Sequence, residues 1–170
     1  MDAHRAEWGR IPVTSDDKIR VFKEVARDYP KYLEHIQEID SKLEVLRTKM
    51  EGLHSINLEK EPSPPSFKER PLVEMIERKT LLEKEKQYYL DLIGWVNEVL
   101  EALGSPAIKA LVWMTYVQRR SLTAISDELL ISKDNLYKIR RKYLRKVLSD
   151  EIMAKLDEIR DNPLIENGAM

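Results

Sequence analysis

The stretch SKDNLYKIRRKYLRKV, Ser132 to Val147, sets Lys133, Lys138, Arg140, Arg141, Lys142, Arg145 and Lys146 against a single acid, Asp134. Ammonium and guanidinium groups at this density bind anions, and on one helix they suit the phosphates of a nucleic-acid backbone. Lys133, Asn135 and Lys138 fall in the first two turns, where a side chain can also reach base edges in a major groove. Arg140, Lys142, Arg145 and Lys146 lie farther along and around the helix, where phosphates are the natural partners. Asp134 can accept from a cytosine amino group, but its place in the first turn favours a role at the positive end of the helix dipole.

The concentration is local. From Arg119 to Leu148, nine basic residues against three acids leave the segment at +6, so the remainder carries −7 for a total of −1. An acidic scaffold with one basic segment implies a localised anion-binding surface. Other chemistries lack their residues. With no cysteine there is no disulfide framework, thiolate metal site or Cys nucleophile. His4, His35 and His54 are far apart and form no HExxH arrangement, no Gly-rich phosphate loop or nucleophile elbow occurs, and the carboxylates are scattered. The expectation is a non-enzyme without cofactor or metal. No apolar run reaches the roughly 18 residues of a membrane span, and the first residues lack a signal-peptide core. A cytoplasmic protein away from membranes is expected.

The elements that must position the basic helix are all helical. Leu136, Ile139, Tyr143 and Val147, spaced 3, 4 and 4, form its expected inward stripe, and Ser132 its cap. Before it, LTAISDELL reads as a shorter helix with Thr123 as cap and Ile125, Leu129 and Leu122 inward. Two helices joined by a short turn, the second polar and basic, describe a helix-turn-helix. Ser105-Pro106 starts the helix upstream of this pair. Ser149 can cap a last helix bearing Ile152, Leu156 and Ile159.

Nearer the front, residues 1–13 read as a flexible arm, and a helix starts at Thr14-Ser15 with Ser15 as cap. DYP, Asp28 to Pro30, ends or kinks it. Tyr32, Ile36, Ile39, Leu43, Leu46, Met50 and Leu53 then repeat at alternating spacings of 4 and 3, the 3.5 period of a coiled-coil seam. The pattern fits packing within the monomer or between chains. In the second case these seven residues would hold a homodimer. The Pro-rich stretch 59–70 is an expected stiff connector, and a long helix follows over 71–104, its stripe interrupted by Lys79 and Lys86. The expected architecture is all-α: N-terminal helices over 14–58, whose seam helix, 31–57, pairs antiparallel with the long helix 71–104 as a coiled-coil-like hairpin, a helix-turn-helix domain over 105–148, and a helix and tail over 149–170.

The segment SLTAISDELLISKDNLYKIRRKYLRKVL resembles region four of sigma factors, with Ser126 where that family usually has Ala and Leu130 where its turn usually has Gly. The wider chain, with DYPKYLEHIQEID near the front, a Pro-rich middle, a long helix and the sigma-like end, is similar to phage transcription activators of the RinA and ArpU type. That resemblance implies activation of phage late genes in a bacterial host, by binding double-stranded DNA at a promoter-proximal site. Carried over by position, Ser132 caps the recognition helix, and Lys133, Asp134 and Lys138 face bases. Asn135, Tyr137, Arg140 and Arg141 lie on or beside the DNA-facing side, Arg119 and Arg120, just before the first helix, contact phosphates, and Thr123 of that helix joins the DNA-binding set. Host RNA polymerase is a further partner to consider. The competing reading is a helical adaptor that binds polymerase or a regulator, its basic segment holding DNA only nonspecifically.

Overall fold

The computed structural model describes residues 14–59 and 69–161. The expected N-terminal arm, most of the Pro-rich connector and the C-terminal tail lie outside these residues. Among the described residues there are seven α-helices, one π-helical turn and no strand, so the fold is all-α. The helices are α1 (Ser15–Arg27), α2 (Tyr29–Glu59), α3 (Glu69–Ala102), α4 (Pro106–Val112), α5 (Leu122–Leu129), α6 (Lys133–Val147) and α7 (Asp150–Arg160). The π-helical turn, Trp113–Val117, continues α4. No helix among them is long and apolar enough to cross a membrane.

Local chemistry sets most boundaries. Thr14, not Ser15, caps α1: its hydroxyl accepts from the Asp17 amide at 3.1 Å and donates to the Asp17 carboxylate at 2.6 Å. Thr14 wins because it is the residue with extended backbone angles, while Ser15 is already helical. Asp28 ends α1 and α2 begins directly at Tyr29. α3 begins at Glu69, which places Pro71 inside its first turn, where the amide that proline lacks would have no partner. Gly104, with φ of +76°, follows α3 in the left-handed conformation that glycine adopts without a Cβ clash.

The chain forms two compact units, one from Leu33–Leu90 and the other from the residues up to Tyr32 together with those from Asp91 onward. In the first, His35 stacks on Tyr89 with ring centroids 4.8 Å apart, and Lys86 pairs with Asp40 at 2.6 Å. Rising numbers on α2 therefore meet falling numbers on α3, and the two run antiparallel. Among the described residues, Ile39, Leu46 and Leu82 are its buried ones, with Leu43, Met75 and Tyr89 packed around them. The 3.5-period seam of α2 thus faces α3 of the same chain. Tyr32, Ile36, Met50 and Leu53 are half-buried.

The second unit holds the larger core. Leu92, Ile93, Trp95, Val96, Val99 and Leu100 bury one face of the last turns of α3, and Leu103, just beyond the helix, is buried with them. Phe22, Val25 and Ala26 of α1 and Met153 and Leu156 of α7 are buried in the same unit. Phe22 meets Trp95 and Tyr116 at centroid distances of 5.9 and 5.8 Å. The Trp95 indole N–H donates to the Ile152 carbonyl at 2.8 Å, which satisfies the polar atom of a buried ring and ties α3 to α7.

Candidate nucleic-acid interface

α5 and α6 are joined by Leu130, Ile131 and Ser132. Each helix is capped by a serine. Ser121 accepts from the Ala124 amide at 3.1 Å, and Ser132 from the Asn135 amide at 3.2 Å. The expected cap of α5, Thr123, is instead the second residue of that helix and exposed, because Ser121 already holds the extended conformation that a cap requires. The turn itself uses the two positions where this chain departs from the sigma pattern. Leu130 takes the left-handed conformation, φ 57° and ψ 36°, and the Ser126 hydroxyl donates to the Ile131 carbonyl at 2.6 Å. That bond satisfies a turn carbonyl from the side chain of the preceding helix.

The inner face of this pair differs in detail from the expected stripe. Leu111, Ile125 and Leu136 form the buried cluster, with Met114, Leu122 and Ile139 around it. Leu129, expected inward, is exposed, since the chain leaves the helix at that point. On α6 the buried positions are Leu136 and Leu144, followed by Leu148, while Ile139, Tyr143 and Val147 flank them half-buried. The inner line thus runs at intervals of four. Its missing member is Arg140, whose guanidinium lies over the Tyr116 ring at 4.9 Å and near Tyr137 at 5.7 Å. An arginine can fill a stripe position because its aliphatic stem packs while its charge stacks on an aromatic face.

The opposite face of α6 follows from 100° per residue. Asp134, Lys138, Lys142 and Arg145 stand there, with Asn135 and Lys146 on one flank and Tyr137 and Arg141 on the other. Lys133, Asp134, Asn135, Tyr137, Lys138, Lys142, Arg145 and Lys146 are exposed. Lys133, Lys138, Lys142 and Lys146 have no carboxylate at ion-pair distance among the described residues. Arg119 is exposed too, in a left-handed conformation with φ of 56°. Arg120 is committed elsewhere: it pairs with Glu128 and sits 3.3 Å from the Met114 sulfur.

Arg141 and Arg145 meet a partner from the far end of the chain. One carboxylate oxygen of Asp16, in the first turn of α1, accepts from both guanidinium groups, that of Arg145 at 3.3 Å. Arg141 also donates to the Tyr137 hydroxyl at 3.0 Å. The bond from Arg141, then that from Arg145, holds the Asp16 pKa below its ordinary value, and Asp16 in turn raises that of Arg141. Burial is the main cause of the raised Tyr116 pKa, against the opposing pull of Arg140. No local pattern announces the Asp16 contact. Two acids at a helix start are fully explained by the dipole, and the partners are 125 and 129 residues away.

Among the described residues no group of three His, Cys, Asp or Glu side chains could hold a metal ion. The ring of His35 lies on Tyr89, while the side chains of His4 and His54 lie outside the described residues. No family model, no curated protein and no solved structure matches this chain.

Proposed function

We propose that α5 and α6 form a helix-turn-helix, that α6 enters the DNA major groove, and that the protein is a sequence-specific transcriptional regulator. The observation that carries this reading is the outer face of α6. It follows a serine-capped turn and presents Asn135, Lys138, Lys142 and Lys146 to solvent on a helix whose other side is locked into a core. A helix of this kind can place its first two turns against base edges while its later cations hold phosphates. The likeness to phage late-gene activators supports the finer reading: activation from a promoter-proximal site in a bacterial host cell.

Self-association belongs to the same reading, because a two-fold dimer matches a target with two half-sites. Ile39 and Leu46 are already covered by α3. A dimer built on the seam would therefore use its half-buried members, Leu43 and Met50, which line an open groove of about 1010 Å³ together with Leu72 and Ile76. The same groove favours the second reading, a helical adaptor for polymerase or another regulator, because Asp40, Glu44, Glu51 and Glu83 give it an acidic rim against Arg47 and Lys79.

Fluorescence anisotropy of the full chain, with duplexes tiled across the DNA flanking its own gene and scrambled duplexes as competitors, separates the two. The regulator binds one tile far more tightly at moderate salt. Equal, weak binding that disappears as salt rises supports the adaptor and defeats the regulator.

A further inference from the structure

We infer that Arg141 and Arg145 form a phosphate-binding notch that Asp16 fills as an internal substitute, so that the N-terminal helix competes with nucleic acid for the DNA-binding helix. The inference rests on the reading of α6 as a DNA-binding helix and adds a regulation of that surface. Three features carry it. Both guanidinium groups converge on one Asp16 oxygen, as two arginines converge on one phosphate oxygen. Arg141 is held by the Tyr137 hydroxyl independently of Asp16, so that half of the notch keeps its place when the carboxylate leaves. And the notch continues the outer face of α6, next to the open cations Lys138 and Lys142.

Exchange is easy for a physical reason. The Asp16 side chain is itself 61% exposed, whereas α1 is held to its unit by Phe22, Val25 and Ala26, two and three turns farther along, and by Lys18, which pairs with Asp150 at 2.7 Å. A change of rotamer at Asp16 frees both arginines without undocking α1. Its neighbour Asp17 carries the same charge but bonds to Thr14 and pairs with Arg20 at 3.3 Å. Asp17 is therefore a matched control for net charge. Because an exposed ion pair is weak and screened by salt, the gain on removing the internal carboxylate is about three- to tenfold in affinity at low salt, and smaller at high salt.

The test compares the full-length wild type with Asp16→Asn and Asp17→Asn, binding a set of unrelated duplexes. Asp16→Asn should tighten every duplex by that factor and steepen the salt dependence, and Asp17→Asn should do far less. The gain should vanish in a chain that also carries Arg141→Ala and Arg145→Ala. An Asp16→Asn affinity no higher than that of Asp17→Asn overturns the proposal. A second arm needs no DNA. Inorganic phosphate, followed by NMR of the arginine Nε–H groups, should reach Arg141 and Arg145 at lower concentration in Asp16→Asn, and in the wild type it should shift the Asp16 carboxyl carbon while the Phe22 to Ala26 amides stay still. Identical midpoints in the two proteins also overturn the notch. If phosphate behaves as expected but no duplex is bound by either protein, the notch stands and the DNA-binding reading is what fails.

Discussion

Leu130 holds a side chain 90% in solvent on a left-handed backbone. A non-glycine residue there costs about 1–2 kcal/mol relative to the right-handed region. Leu130→Gly should therefore stabilise the fold by about 0.5–1 kcal/mol, the relief of strain less the greater freedom of glycine in the unfolded chain. Urea denaturation measures this, and a loss of stability would mean that the leucine side chain has a structural role in the turn. The outer cations divide by position. Lys138→Ala should cost about 1–3 kcal/mol and relax preference at one base pair, while Lys142→Ala should weaken all sequences alike and lower the salt slope by about one. Binding to single-base variants of the site at two salt concentrations separates these outcomes, and an equal loss for both substitutions on every site makes α6 an electrostatic clamp. Ser132 could be read as a cap from the sequence because capping is decided within four residues. Arg140, expected beside the DNA-facing side, stacks inward instead, and no sequence pattern announces this because the stacking depends on Tyr116, which arrives from another element.

At the scale of elements, the heptad seam of α2 and its antiparallel pairing with α3 were visible, but the stripe of α3 that receives the seam was not. The reason lies in α3. Its inward residues Met75, Leu82 and Tyr89 recur every seven positions, but two of the alternate positions are Lys79 and Lys86, and Lys86 reaches across to Asp40. An ion pair at the margin of a seam leaves an apolar stripe only half written. With Ile39, Leu46 and Leu82 as its buried residues, this hairpin depends heavily on each of them. Leu46→Ala should cost about 2–3 kcal/mol, the low end for a buried leucine because solvent can fill the space. Chemical denaturation followed by helical circular dichroism tests it, and a change below about 0.5 kcal/mol, the range of an ordinary surface substitution, would show that the seam does not hold the hairpin. The π-helical turn was equally invisible. It inserts an extra residue into a helix, and WMTYV contains nothing that marks the insertion.

For the whole molecule, fold class and the location of the basic surface could be read early, because helical period and charge are properties of contiguous sequence. The long-range closure of α1 on α6 could not, since it brings together residues separated by most of the chain. The buried indole of Trp95 has a consequence of a different kind. Tryptophan occurs only at positions 8, 95 and 113, and none of these lies in the unit Leu33–Leu90. Indole emission, recorded on a Trp8→Phe chain, is therefore a reporter confined to the unit that carries α6, and the hairpin is dark to it. Far-ultraviolet dichroism sees both units. The hairpin, with far fewer buried side chains among the described residues, should melt first: ellipticity should fall while the emission remains blue-shifted, and the indole signal should follow at higher temperature. Coincident curves would mean that the two units unfold as one cooperative body.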